Sequence, residues 1–530
     1  MFGLLSPWVA AVRSCEVCVV GGGPAGYAIA AQLANNGNSV ALIDQSPNQK
    51  WPNNYGAWKD EWDALAQKWQ HVAPLHKCVK QQWEVTDCYF GGSFGKPDDL
   101  KTRLQRAYLQ VDRVALKQVL TDQLLRSDQA EILQAKLDAT LLAPNLFDRN
   151  LDHDAHGSTL TLSDGTELRA KLIVDASGSE SRLVQRESFT SAGYWRESQV
   201  GYQIAYGMTV DTPQGHEPYA AEAMTLFDYR TDHLISDKSW LADAEERPSF
   251  LYAMPFPAEK EGDVAHIFFE ETSLVGRGSR RLEFEQLKRR LIARLKHLGI
   301  KYDPESVRDE EFCYIPMGGA LPDASQRVIP FGGAAATVHP STGYQLCRML
   351  ASCEDLIVAI SASLEQSDDE FNADAAAASA HEALWPRSAR LQRDFQVFGG
   401  EFLQQAYVET LRGFFDGFFA LEAAVWGGFL AGWKGLPGND NHAHWDKRLL
   451  FGLSIFAKFP PKVSLGFLAF LARYTAEFGP VMLRSIATPL FDFVAPPVAG
   501  VADYRARTRS MYVEGDQTAK SEAVSMLRGK

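Results

Sequence analysis

Two groups of residues in this chain have the types and spacing that chemistry needs. The first is Gly21, Gly23 and Gly26, in Val19-Val20-Gly21-Gly22-Gly23-Pro24-Ala25-Gly26, with Asp44 18 residues beyond Gly26 at the end of a second apolar run. Gly21 permits a tight turn and Gly23 lets the backbone approach a pyrophosphate. Gly26 lets the next helix pack closely on a sheet, with its N-terminus towards the phosphates. Asp44 can accept hydrogen bonds from a ribose 2′-hydroxyl, which favours an unphosphorylated adenosine ribose. The second group is Glu270 and Glu271, which follow the apolar run Ala265-His266-Ile267-Phe268-Phe269. Strand alternation puts the two on opposite faces. One can then enter a dry pocket while the other turns outward or makes a structural pair. Burial among phenylalanines disfavours the ionised form and gives a neutral acid near pH 7. From the residues alone, the pair also fits a salt-bridged strand end.

The elements that must hold these residues can be read around them. Residues 15–20 form a β-branched strand, a helix follows from Pro24, and Ser39–Ile43 is a second strand. Residues 172–182 form a buried strand that breaks into Asp175-x-x-Gly178, and residues 328–343 carry Gly332, Gly333, Pro340 and Gly343 after another apolar strand. The seven cysteines are scattered, which favours a reducing compartment over a disulfide framework. Cys15 and Cys18 have no second pair at metal-ligand spacing and read as strand packing. A formal charge of −13 argues against nucleic-acid binding, which needs clustered positive charge. The residues before the first strand carry one positive charge, Arg13, and read as neither a secretory signal nor a plastid transit peptide. No uncharged apolar run is long enough to span a bilayer. Residues 384–490 are instead rich in aromatics at amphipathic spacing, which fits helices lying in a membrane interface or capping a pocket.

The three glycine-bearing segments together resemble the FAD fingerprints of the hydroxylase-type flavoproteins, in which the third carries Gly-Asp; here Gly333 takes the Asp position. Arg113 matches that superfamily's second arginine near the cofactor. More specific blocks follow in order: Trp51-Pro-Asn-Asn-Tyr-Gly-Ala-Trp58, Gly201-Tyr-Gln-Ile-Ala-Tyr-Gly207, Phe250-Leu-Tyr-Ala-Met-Pro-Phe256, Phe268-Phe-Glu-Glu-Thr-Ser-Leu-Val275, Tyr314-Ile-Pro-Met-Gly-Gly319, Val338-His-Pro-Ser-Thr-Gly-Tyr344, Leu384-Trp-Pro-Arg387 and Gly413-Phe-Phe-Asp-Gly-Phe-Phe419. Over roughly residues 15–490 the chain resembles the plant and algal lycopene cyclases.

That resemblance implies a non-redox ring closure on a lipophilic carotenoid at a membrane surface in a plastid, with FAD as cofactor and NADPH as reductant. It points to Glu270 as the essential acid, with Glu271 beside it; His339 and Asp228 are weaker candidates for a base and an orienting group. Ser273–Arg277 and Pro316–Gly319 look β-type, whereas Phe269 and Ala334–Ala336 lean towards ε-type; an ε-cyclase or a xanthophyll-forming paralogue is an alternative within the family. A flavin monooxygenase or halogenase is the alternative class, although the Trp-x-Trp-x-Ile block of halogenases is missing. The expected fold is α/β, with a discontinuous Rossmann-like FAD domain (15–185, carrying an early insertion from the substrate domain, and 311–365). An antiparallel substrate sheet (186–310), a helical membrane-associating region (366–498) and a flexible tail (499–530) complete it.

Overall fold

The computed structural model describes residues 13–90, 101–137, 151–187, 200–212, 218–258 and 264–494; the expected tail lies outside them. The runs Val17–Val20, Val40–Asp44 and Leu172–Asp175 are buried without interruption. Such runs suit the middle of a parallel sheet covered on both faces. The strand Arg13–Val20 is central, between Val40–Asp44 and Glu167–Asp175, and Ala130–Gln134 continues the parallel order. Gly157–Thr161 and Leu151–Asp154 extend the far edge in antiparallel fashion, and Ile329–Pro330 adds to the end of Glu167–Asp175. The helix Pro24–Asn35 starts on a proline, which is preorganised for a first turn. Its small, fully buried Ala28, Ala30 and Ala31 let it pack against the helices Arg113–Leu124 and Leu346–Leu364. Cys18 is buried within the first strand, as strand packing requires.

A second sheet faces this one. Its order is Asp309–Gly318, Val200–Asp211, His266–Ser273, Ser249–Phe256, Ala223–Asp228, Val85–Tyr89 and Lys101–Leu104. Every neighbouring pair is antiparallel except Ala223–Asp228 with Val85–Tyr89. One expected boundary moves. Residues 311–318 were assigned by their sequence to the nucleotide domain, but Asp309–Gly318 pairs along almost all of Val200–Asp211 in the second sheet. The alternation of that strand carries the information, and the glycines just beyond it mask it. A small third sheet joins Tyr55–Trp58, Tyr108–Val111 and Val79–Trp83.

From residue 346 onwards the described chain is largely helical. Phe415 and Phe419 stack on Phe90 with ring centroids 5.9 and 5.6 Å apart, and Phe415 also stacks on Phe227. One aromatic core therefore joins these helices to the second sheet. Other apolar side chains on the same helices face outward: Leu450 and Leu453 on Trp445–Phe456, Leu465 and Leu468 on Pro461–Phe478, and Leu490 and Phe493 on Thr488–Val494. Among the described residues no single helix is long and apolar enough to cross a membrane. Val408–Phe419 and Ala423–Ala431 reach that length only together, across a 118° bend.

Candidate active site

The glycine loop lies at the carboxyl ends of the parallel strands, where open α/β sheets form a crevice. A Cβ on Gly26 would sit 1.8 Å from the Gly21 carbonyl oxygen, so helix and loop meet backbone to backbone. Gly21 has φ +118°, and a Cβ there would lie 2.6 Å from the Ala176 carbonyl oxygen. Gly23 differs. It caps the helix, lines the cleft and has nothing within 4 Å of its Cβ position, which leaves the helix N-terminus open to a phosphate. Asp44 lines the same wall; its Oδ2 accepts the Tyr27 hydroxyl at 2.9 Å and its Oδ1 the Ser46 N–H at 2.8 Å. The Trp51 indole donates to the Gly22 carbonyl at 2.8 Å, so the distinctive 51–58 block braces the loop.

The other two glycine segments reach the same cleft. Asp175 is buried and does not line it. Its carboxylate accepts the Ser177 N–H and the Ser181 hydroxyl, and so shapes the turn that presents Gly178. Gly178 (φ +104°) lines the cleft with open space at its Cβ position. Gly333 abuts that turn, and a Cβ there would lie 3.0 Å from the Ser179 nitrogen, which accounts for a glycine where the superfamily carries Asp. Gly343 also lines the cleft, whereas Gly332 packs on Ala25 and the Pro340 carbonyl abuts Gly400. Walls without side chains at Gly23 and Gly178, with Asp44 at the strand end, fit a dinucleotide. The expectation for Arg113 needs correcting. Its guanidinium donates to the Pro52 carbonyl and pairs with Asp309 inside the wall, because the strand Asp309–Gly318 brings a carboxylate to it.

A cleft of about 980 Å³ runs from this cradle to the second sheet. There Tyr252, Glu270, Gly207 and Glu311 form one cross-strand row. Glu270 is half-buried and lines the cleft beside Tyr252, Met254 and Phe268. Its Oε1 accepts the Thr272 hydroxyl at 2.7 Å. Burial, and then the charge of Glu311, push its carboxyl up to about 8. Glu271 faces the other way. Arg294, on the helix Phe284–His297, grips both its oxygens at 3.0 Å, and the Ser249 hydroxyl donates at 2.7 Å. The two expected catalytic carboxylates therefore reduce to one that reaches the cleft. Glu271→Gln removes the closer of the two carboxylates that neutralise buried Arg294, leaving Asp228 at 3.7 Å, and would cost about 3–5 kcal/mol. Denaturant unfolding checks this; a stable but inactive variant would contradict the structural role.

Asp228 and His339 do not enter the cleft. Asp228 is fully buried, and although burial opposes its charge, Arg230 at 2.5 and 2.9 Å and the Tyr219 hydroxyl at 3.1 Å help keep its carboxyl low. Buried His339 donates from Nε2 to the Phe429 carbonyl at 2.9 Å and accepts the Ser341 N–H at Nδ1, and burial lowers its basicity. It is a satisfied loop histidine. Glu311 was missed because it follows Asp309 and Glu310 in a run that reads as a solvated strand start. Asn54 and Cys313, which donate to it, were missed because only the tertiary fold brings them to a carboxylate.

Fold and cleft define an α/β protein with a Rossmann-like glycine cradle that opens onto an acid-bearing antiparallel sheet. A geranylgeranyl bacteriochlorophyll reductase-like protein from Thermoplasma acidophilum shares the fold, with a TM-score of 0.53 at 12% identity over 87% of this chain and all of that one. Within that class the chain belongs to the lycopene cyclase family, whose defining pattern, described as lycopene cyclase protein, matches residues 16–438. It is 36% identical to the chloroplastic lycopene beta cyclase of Arabidopsis thaliana over 83% of this chain and 77% of the relative. It is 35% identical to the lycopene beta cyclase of Capsicum annuum, over 83% and 78%. It is also 35% identical to the neoxanthin synthase of Solanum lycopersicum, over 78% and 74%.

Proposed function

We propose that this chain forms ionone rings, preferentially of the β type, at the ends of lycopene by acid-catalysed, redox-neutral closure. The observation that carries the reading is the place of Glu270, half-buried beside Glu311 on the wall of a cleft that also holds a dinucleotide cradle, where burial and that neighbour raise its carboxyl to about 8. Closure begins when Glu270 gives its proton to a terminal double bond: its O–H bond breaks and a C–H bond forms. The cation is attacked by the neighbouring alkene, and the second cation loses a proton from a ring carbon to the carboxylate that Glu270 has become, which restores the acid. No oxidation state changes overall. The aromatic faces of Tyr252 and Phe268, which line the cleft beside Glu270, suit a passing cation. Gly21–Gly26, Asp44, Gly178 and Gly333 would hold FAD, which once reduced by NADPH would supply negative charge to stabilise a cation.

The substrate dissolves only in lipid. We place the outward-facing Leu450, Leu453, Leu465, Leu468 and Phe493 against a plastid membrane surface, as a peripheral contact. The chloroplastic names of the relatives support the plastid, and the beta-cyclase names support β-ring formation. The neoxanthin synthase relatives favour a second reading, a xanthophyll-forming paralogue. Expression in lycopene-accumulating bacteria separates the two. Chromatography is expected to show β-rings on lycopene ends without added oxygen dependence; unchanged lycopene would overturn the reading.

A further inference from the structure

We infer that Glu311 is the positioning residue of the acid: an anchored carboxylate that shares a single proton with Glu270 across Gly207 and leaves that proton on Glu270. This rests on the reading of Glu270 as proton donor. The register carries it. Val200–Asp211 lies between the two acid-bearing strands, and Gly207 pairs with Glu270 on one side and Glu311 on the other. Neighbouring strands are about 4.8 Å apart, so the two backbones are separated by roughly twice that distance. The carboxyls nevertheless converge: an oxygen of each, and the Cys313 sulfur, all lie within 4.8 Å of one another. They can do so because the residue between them has no side chain.

The hydrogen bonds distinguish the two carboxyls. Glu311 accepts the Asn54 N–H at 3.0 Å, the Asn54 side-chain amide at 2.6 Å and the Cys313 thiol at 2.9 Å. Burial raises Glu311 above the usual carboxylate range too, but the three donors oppose that rise and favour its ionised form relative to Glu270. Among the described residues Glu270 accepts the Thr272 hydroxyl alone. Two carboxylates this close cannot both ionise readily, so one proton stays with the pair, and it resides on the member with fewer donors. Around them Tyr252 faces Glu270 from Ser249–Phe256, while Tyr55 and Arg113 act on Glu311 from the third sheet and the helix behind it. Arg113 is therefore part of the anchor, although it does not reach the cleft.

The test is Glu311→Gln, which removes the charge and keeps the shape. With its neighbour neutral, Glu270 loses its proton more easily, so the alkaline limb of the cyclisation rate moves to lower pH by on the order of one unit. FAD content should remain that of the wild type, and Glu311→Asp should restore the limb. An alkaline limb unmoved in Glu311→Gln overturns the pair. Loss of activity at every pH with FAD bound also overturns it, since Glu311 would then act as a catalytic group. Should Glu311→Gln fail to accumulate, an infrared titration of the wild type decides: the pair predicts two separated carboxyl steps, and a single step at ordinary carboxylate pH contradicts it. Retained cyclisation in Glu270→Gln would instead refute the underlying reading, so the two failures are distinguishable.

Discussion

Glu270→Gln is expected to abolish ring closure in lycopene-accumulating cells while the protein still folds and binds FAD. The amide keeps the shape of the carboxyl and can accept the Thr272 hydroxyl as before. It has no proton to give to a hydrocarbon. General acids contribute about 10²–10⁴-fold to rate, and the adjoining carboxyl, Glu311, is held by three donors and cannot readily substitute. Pigment chromatography reads the result directly, and lycopene should accumulate uncyclised. The stability of the variant should match or exceed that of the wild type, since a half-buried carboxyl beside a like charge is a cost to the fold.

Gly26→Ala is expected to cost the protein its cofactor site altogether. Its Cβ would lie 1.8 Å from the Gly21 carbonyl oxygen, a backbone atom that no side-chain rotation can move aside. The first strand, the glycine turn and the helix Pro24–Asn35 would have to separate. Overpacking of this kind costs about 1–3 kcal/mol, and more where backbone must shift. Flavin absorbance per protein should fall at least tenfold, and Tm should drop. Gly23→Ala provides the contrast. Its Cβ has open space, so Tm should hold while FAD binding weakens, because the methyl occupies the approach to the helix N-terminus. Equal behaviour of the two variants would contradict the roles given to the two glycines.

How much of this was legible in the sequence depends on the distance over which each feature is decided. The first part of the cradle was legible because it is local: a strand, a turn, a helix start and a strand end within 30 residues of one another. The opposite faces of Glu270 and Glu271 followed from the period of a strand. What each face meets did not. Arg294 reaches Glu271 from a helix 23 residues on, and only tertiary packing puts it there. Glu311 was hidden for the same reason, since its approach to Glu270 depends on the register of two strands against a third. His339 and Asp228 were named for their chemistry and lost for their surroundings. A loop histidine between a carbonyl and an N–H, and an aspartate held by arginine, are spoken for. The outward-facing leucines were legible as amphipathic spacing, while the aromatic core on the other side of the helices was not separable from them.

The protonation state of Glu270 at neutral pH carries the proposed chemistry, and it can be measured without substrate or cofactor. Infrared spectra of the wild type and Glu270→Gln, recorded from pH 5 to 10 and subtracted, isolate this carboxyl from buried Glu61, which titrates nearby at about 7. The account predicts a protonated carboxyl band at pH 7 that disappears as pH rises through about 8. A difference spectrum showing Glu270 already ionised at pH 7 would contradict it.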